Sequence, residues 1–141
     1  MKNRISLLLG LSLLSIMVIF SACKKDDDDD KTTPLSCDRT IDGSITLGQN
    51  DFTVSMKVSG SGTYSVTKIE YLDADGNLQT LNNPDLPWEE NFTISGVSGS
   101  VHNYELSMYT SVTNGKITAE FDGNDGSQFI NQTRECSQYT D

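Results

Sequence analysis

The sequence is poor in histidine and cysteine, which build many catalytic and metal sites. It contains one histidine, His102, and three cysteines among 141 residues, with no CxxC pair. A zinc site needs more ligands than these at short spacing. The GxSxG, HExxH and glycine-rich phosphate-loop motifs are also missing from the chain. We therefore predict that the protein is not an enzyme and holds neither a metal nor a cofactor.

Basic residues are scarce as well. The chain has 10 Lys and Arg against 20 Asp and Glu, a formal net charge of -10 at pH 7. Five of the basic residues and fifteen of the acidic residues follow Lys31, so the part of the chain expected to fold is itself acidic. An acidic surface repels a phosphate backbone, which makes nucleic acid a poor partner.

Helical patterns are missing from residues 40–136, where no stretch keeps apolar residues at i, i+3 and i+4. Apolar and polar residues alternate instead, for example in DFTVSMKVSG at 51–60 and KITAEFDG at 116–123. This alternation predicts half-buried β-strands. Short strands separated by turn signals favour an antiparallel sandwich over a closed barrel, so the predicted fold is an all-β sandwich of about seven strands.

Turn residues separate the predicted strands. GSGT at 60–63 is predicted to end a strand, and TNG at 113–115 to form an Asn-Gly hairpin. DADGN at 73–77 and DGNDG at 122–126 are predicted turns, because Asp, Asn and Gly tolerate positive φ angles. A one-residue shift in the alternation between YSV and KIEY indicates a β-bulge. DADGN resembles a calcium loop only superficially, since Pro84 stands where a bidentate glutamate is required.

The amino terminus has the organisation of an export signal. Lys2 and Arg4 form a positive region, the apolar stretch ISLLLGLSLLSIMVIF follows, and small residues lead to Cys23. The sequence FSAC resembles a bacterial lipobox, although leucine is commoner where Phe20 stands. The resemblance implies a lipoprotein signal peptide at residues 1–22, with a lipidated Cys23 as the first mature residue. An ordinary secretory signal or an uncleaved anchor helix is the alternative.

Residues 23–36 are predicted to be the lipidated cysteine followed by an acidic, flexible tether. Five adjacent aspartates repel one another and stay solvated, whereas a calcium site needs interleaved ligands. The lysines and aspartates directly after Cys23 resemble the export signal of Bacteroidota-type surface lipoproteins. That resemblance implies an outer-membrane protein, anchored by acyl chains, whose domain faces the cell exterior. A run ending in DDDDK also resembles an expression tag, but the signal peptide before it argues against that interpretation.

Cys37 and Cys136 lie near the two ends of the predicted domain, residues 37–141. In an oxidising compartment outside the cytoplasm, two such cysteines favour a disulfide. We predict a Cys37–Cys136 bridge, which would close a loop of about 100 residues. Two unpaired thiols are the alternative.

The corner PDLPW at 84–88 carries the single tryptophan, Trp88. A tryptophan beside proline can stack on a sugar or an apolar ligand, so Trp88 is a candidate ligand-binding residue. More often such a residue covers the open end of a sandwich as part of the core. The partner expected of this corner is a protein or a glycan of unknown identity.

Several segments between Val54 and Phe121 resemble the MmpS family, small membrane-associated proteins that accompany MmpL lipid transporters. The segments that carry the resemblance are VSG at 58–60, VTKIEYLDADGN at 66–77, LPW at 86–88, YELSMYT and GKITAEFDG. The resemblance implies a small immunoglobulin-like β-sandwich without a catalytic site. Here a lipobox and an acidic tether stand in place of the family's amino-terminal membrane helix.

Two hypotheses about function follow. The first is a membrane-anchored, surface-exposed lipoprotein whose β-sandwich binds a partner without catalysis, which the acidic tether favours. The second is a periplasmic accessory subunit of an MmpL-like envelope transporter, which the MmpS-like segments favour. Such a subunit would dock through a sheet edge.

Overall fold

The computed structural model describes residues 33–139, and six antiparallel β-strands account for most of them. No helix occurs within that range. The all-β antiparallel fold predicted from the alternation is therefore confirmed. The strands are β1 (Leu35–Thr46), β2 (Phe52–Leu72), β3 (Leu78–Asn82), β4 (Trp88–Ile94), β5 (Val101–Asn124) and β6 (Phe129–Gln138).

Two long strands contribute to both layers of the sandwich. β2 and β5 pair along nearly their whole length, from Thr53 opposite Asn124 to Tyr71 opposite Leu106. One half of this pair is flanked by β3 and β1, giving the order β3-β2-β5-β1, which we call sheet I. The other half is flanked by β4 and β6, giving the order β4-β2-β5-β6, which we call sheet II. Six strands, rather than about seven, therefore suffice for two four-stranded layers.

The two long strands pass from one sheet to the other at a pair of glycines. Gly62 and Gly115 are partners in the β2–β5 ladder, and the register shifts directly afterwards, between Thr63 and Tyr64. Both glycines have positive φ angles, 85° and 140°, which other residues adopt only with strain. A Cβ atom on Gly115 would also collide with the carbonyl oxygen of Ser61 on the facing strand. Glycine is therefore required where the paired strands change sheet.

The predicted strand end at 60–63 and the predicted hairpin at 113–115 are both wrong. Residues 60–63 of β2 pair without interruption with residues 114–117 of β5. An Asn-Gly pair favours a tight turn locally. Here the positive φ angle of Gly115 instead lets β5 change direction while it stays paired with β2. The strands are consequently longer than the short strands expected from the sequence.

The core lies between the two sheets and is formed by alternate residues of the paired strands. Its central aromatic pair is Tyr104 and Phe121, whose rings stack with their centroids 4.4 Å apart. The predicted bulge is confirmed: the register shifts between Val66 and Lys68, so that Val66 and Ile69 both face the core. The largest fully buried side chains are those of Phe52, Phe121, Ile41, Met56, Ile69, Leu106, Met108, Ile117, Val58, Val112 and Cys136.

The predicted disulfide is confirmed. Cys37 of β1 and Cys136 of β6 are bonded, with their Cα atoms 6.1 Å apart. Because β1 is an edge of sheet I and β6 an edge of sheet II, the bridge joins the two layers at their edges. Both cysteines are buried in the core, and the Thr110 hydroxyl donates a hydrogen bond of 2.8 Å to the carbonyl oxygen of Cys37.

The predicted turn at 73–77 is confirmed and joins β2 to β3. The Asp73 carboxylate accepts hydrogen bonds from the backbone N–H groups of Asp75 and Asn77, at 3.0 and 2.9 Å. Gly76 supplies the positive φ angle, 78°. The bond from the Asn77 backbone is the main reason that the pKa of Asp73 lies below its usual range.

The predicted signal peptide, the lipidation site Cys23 and most of the tether lie outside the described residues and stay predictions. Within residues 33–139, no helix has the length and apolarity needed to cross a membrane.

Candidate functional site

The outer face of sheet II carries a groove of about 550 Å³. Residues from all four strands of that sheet line it, and the alternation along each strand decides which side chains reach it. On β2, for example, Val54 is buried in the core, while Thr53 and Ser55 project to the opposite face. The groove therefore belongs to the solvent side of the sheet.

The first row of side chains across the groove consists of Thr93, Thr53, Asn124 and Phe129. The ladder places Thr53 opposite Thr93 on one side and opposite Asn124 on the other. Asn124 in turn lies opposite Phe129, which is 73% exposed. Directly paired residues project to the same face of a sheet, so the four side chains form one line that ends in an aromatic ring.

The second row lies two residues further along each strand and consists of Asn91, Ser55, Asp122 and Asn131. Ser55 is paired with Asn91 and Asp122, and Asp122 is paired with Asn131. The side-chain amide of Asn131 donates a hydrogen bond to the Asp122 carboxylate. That bond orients both side chains and leaves the Asn131 carbonyl oxygen as an acceptor.

A charged row borders the groove beyond the second row. Lys57 of β2 lies opposite Glu89 of β4 and Glu120 of β5. The Glu89 carboxylate accepts a hydrogen bond of 2.8 Å from the side-chain amide of Asn91. The border carries one positive and two negative charges, so its field disfavours anionic ligands.

The loop between β5 and β6 positions Phe129 at the end of the first row. The Asp125 carboxylate accepts hydrogen bonds from the backbone N–H groups of Ser127 and Gln128, at 2.7 and 2.6 Å. The Gln128 side-chain amide donates to a β1 carbonyl oxygen at 3.0 Å, which ties the loop to the end of β1. The turn predicted at 122–126 is thus shifted along the chain, because its first residues still belong to β5.

Acid is expected to loosen this loop. The backbone hydrogen bonds from Gln128 and then Ser127 lower the pKa of Asp125 below its usual range, whereas an unfolded aspartate has a pKa of about 3.9. The stabilisation is therefore complete above pH ~3.9 and is lost as the pH falls through the lower folded-state pKa. Carboxyl NMR should show Asp125 titrating below that value. In the Asp125→Asn variant, which keeps an acceptor but cannot titrate, the acid-induced shift of the Phe129 amide signal should disappear.

Trp88, the ligand corner predicted from the sequence, lies outside the lining of the groove. It is half-buried opposite Val58 in the β2–β4 ladder. Its ring centroid is 5.1 Å from that of Tyr71, and both residues pack against the core. This arrangement is the one expected of a core plug, and ligand binding by Trp88 stays a prediction.

The outer face of sheet I carries a cluster whose polar groups bind one another. Lys68 Nζ lies 2.9 Å from a Glu70 carboxylate oxygen and 3.9 Å from the centre of the Tyr109 ring. The Tyr109 hydroxyl donates to the other Glu70 oxygen at 2.9 Å. The bond from Lys68 lowers the pKa of Glu70, and the bond to Glu70 raises the pKa of Tyr109. The cluster has the character of a solvated structural network.

Carboxylates are sparse in the groove itself. Asp122 is the one carboxylate among its lining residues. In the part of the chain that the structure describes, no three His, Cys, Asp or Glu side chains lie close enough together to hold a metal ion. The groove is chemically suited to hydrogen bonding by neutral groups.

Sequence patterns did not predict the groove. The sequence feature that could have indicated the groove is the presence of Ser, Thr and Asn at the outward positions of DFTVS, ENFTIS and QFINQT. Such residues are ordinary on the solvated face of an antiparallel sheet, so they indicate a site only when the register places them side by side.

Residues 46–111 match the family model described as Mycobacterium membrane protein. The match supports the MmpS-like resemblance and the membrane association of the protein. The match covers slightly under half of the chain. The groove residues of β2 and β4 lie within the matched range, and those of β5 and β6 follow it. No curated protein matches the chain.

Proposed function

We propose that this protein is a membrane-anchored lipoprotein whose domain is displayed on the cell surface and binds a ligand without catalysing a reaction. The observation that carries the proposal is the groove on sheet II. Its volume of about 550 Å³ falls within the ~300–1,000 Å³ typical of ligand sites. Residues of four paired strands line it, so the groove is formed before a ligand arrives, as expected of a binding domain.

The anchor is supported by the amino-terminal sequence, and membrane association by the family match. Lipidation of Cys23 would contribute about 0.8 kcal/mol per buried methylene, and two or more acyl chains anchor a protein stably. Residues 24–34, which precede β1, could extend by at most about 40 Å, enough to hold the domain clear of the lipid headgroups. The resemblance of the tether to Bacteroidota-type export signals supports display on the outer face.

Trypsin added to intact cells is expected to release the domain. Lys24, Lys25 and Lys31 of the tether are cleavable sites close to the anchor, whereas hydrogen-bonded strands resist cleavage. Immunoblots of washed cells should lose the domain while a periplasmic marker protein stays intact. Full protection of the domain in intact cells would contradict surface display.

The Cys23→Ser variant is the matched control. It removes the sulfur that is acylated and leaves the tether and the domain unchanged, so the variant should carry no diacylglycerol. Mass spectrometry of the wild-type amino terminus should find a chain that begins at Cys23 and carries diacylglycerol. An unmodified chain that begins upstream of Cys23 would overturn the proposed anchor.

A periplasmic accessory role beside an MmpL-like envelope transporter is the second candidate, and the match of residues 46–111 favours it. In this case trypsin would reach the domain only after the outer membrane is permeabilised. Docking would use an edge strand such as β3 or β4. Crosslinking in cells should then recover a membrane protein with several spans, and recovery of none would count against this candidate.

A further inference from the structure

The side chains that reach the groove are rich in hydrogen-bonding groups and poor in charge. The two rows together present three hydroxyls, three amides, one carboxylate and one aromatic ring. We propose that the groove binds a neutral saccharide chain. This ligand class rests on the proposed function, because it assigns a partner to the same binding site.

The polar groups of the groove match the hydroxyl groups of a sugar. Hydroxyls and primary amides can both donate and accept hydrogen bonds, and so can each sugar hydroxyl. Asp122 adds a charged acceptor, whose bonds to donor groups are the stronger kind. Because Asn131 already orients this carboxylate, the acceptor does not have to be ordered when a sugar binds.

Phe129 supplies the apolar surface that a sugar ring needs. The side chain is 73% exposed at the end of the first row, beside the amide of Asn124. The C–H face of a sugar ring can pack on an aromatic ring and remove apolar area from water, while its hydroxyls reach the neighbouring polar side chains. The hydrogen-bonded loop of Asp125 holds the start of β6 in place for this contact.

Other ligand classes fit the groove less well. The net charge of -10 and the Glu89 and Glu120 carboxylates at the border oppose anionic ligands. A lipid tail would remove water from the Ser55 and Thr93 hydroxyls, and from the Asp122 carboxylate, without replacing the hydrogen bonds that water makes to them. A divalent cation would find one carboxylate, Asp122, where hard cations take several oxygen ligands.

The dimensions favour a chain over a single sugar. Four strands spaced about 4.8 Å apart make each row roughly 14 Å long, and the two rows lie roughly 7 Å apart. The groove is a trough on an open sheet face, so a ligand can extend beyond it at both ends. We therefore expect oligosaccharides to bind more tightly than their monosaccharide units.

The test uses the full-length chain purified in detergent. The probes for affinity electrophoresis and calorimetry are a neutral β-glucan, xylan, galactomannan and soluble starch, with polygalacturonate as the anionic comparison. An array of neutral and acidic oligosaccharides extends the panel. We expect at least one neutral probe to bind and polygalacturonate not to bind.

Variants then locate the site. Phe129→Ala and Asn131→Ala should each weaken binding by about tenfold or more, with thermal unfolding unchanged because both side chains are exposed. Tyr139→Ala is the matched control, since Tyr139 is an aromatic residue that is 67% exposed and lies outside the groove lining. The affinity of the Tyr139→Ala variant for the neutral glycan should equal that of the wild type.

Three results would overturn the inference: no binding to any neutral probe on gel or array, tighter binding to polygalacturonate, or binding that survives both groove variants. These results are separable from a failure of the proposed function. Binding by the purified chain does not depend on where the cell places it, so a displayed domain that binds no neutral glycan overturns the ligand class alone. A domain protected from trypsin overturns surface display and leaves the binding result standing.

Discussion

Replacing both Cys37 and Cys136 with alanine is expected to lower the free energy of unfolding by about 4 to 5 kcal/mol. The two cysteines are 99 positions apart, and stabilisation by a disulfide grows with the length of loop that it closes in the unfolded chain. Alanine is preferable to serine, because both positions are buried and a buried hydroxyl needs a partner. A loss of this size is a third or more of the stability of many domains.

Urea unfolding followed by circular dichroism measures this loss. Wild-type protein held in strong reductant is the control, and it should unfold at nearly the same urea concentration as the double variant. Free-thiol titration of the oxidised protein after unfolding in urea should detect neither Cys37 nor Cys136, both of which are buried in the folded state. A difference in unfolding free energy below about 1 kcal/mol, the effect of an average substitution, would contradict the expected role of the bridge.

Replacing Gly115 with alanine is expected to lower the free energy of unfolding by about 3 kcal/mol or more. One part of the cost is the positive φ angle of 140°, which an alanine adopts only with strain. The other part is the collision of the new Cβ with the carbonyl oxygen of Ser61. Ser61 belongs to the paired β2 strand, so its backbone cannot move away without disturbing the ladder between the two long strands.

Gly76 offers a matched control for this substitution. It also has a positive φ angle, 78°, but a Cβ atom there would meet no atom within 4 Å. Gly76→Ala should therefore lower the free energy of unfolding only by the conformational cost of the positive φ angle, about 1 to 2 kcal/mol. Equal losses for Gly115→Ala and Gly76→Ala in urea unfolding would show that the close approach at the crossing has no energetic consequence.

Burial along each strand was predictable because it depends on local order. Successive residues of a strand face opposite sides, so the pattern DFTVSMKV was enough to place Phe52 and Val54 in the core and Thr53 outside. The bulge after Val66 was predictable for the same reason, since it appears in the sequence as a break in the alternation. The disulfide was predicted from two cysteines near opposite ends of one domain that the amino-terminal sequence predicts to be exported.

The hairpin predicted at 113–115 failed because turn propensity describes a segment in isolation. Asn114 and Gly115 have the residue types of a tight turn, yet they pair with residues of β2 that are about 50 positions earlier in the chain. That pairing outweighs the local preference, in the way that tertiary context overrides propensity. Gly62 and Gly115 instead allow the paired strands to pass from one sheet to the other. This role can be recognised only when the two strands are aligned.

The candidate site shows the same division between local pattern and long-range pairing. Trp88 is a candidate ligand-binding residue from the sequence because it is the single tryptophan and lies at a corner. In the structure it packs against the core beside Tyr71. The exposed aromatic residue of the groove is Phe129, whose neighbours in the sequence resemble those of many other solvated strands. Its importance depends on lying in line with Asn124 and Thr53.

The order of residues along the chain is enough to decide that the domain is made of strands, which side of each strand is buried, and that its two ends can be bridged. Each of these depends on neighbours one or two positions away, or on a count of cysteines. The alignment of β4, β2, β5 and β6 depends instead on hydrogen bonds between segments tens of residues apart. A shift of one residue in that register would send Asp122 and Phe129 to different faces, so only the folded ladder decides that a groove exists.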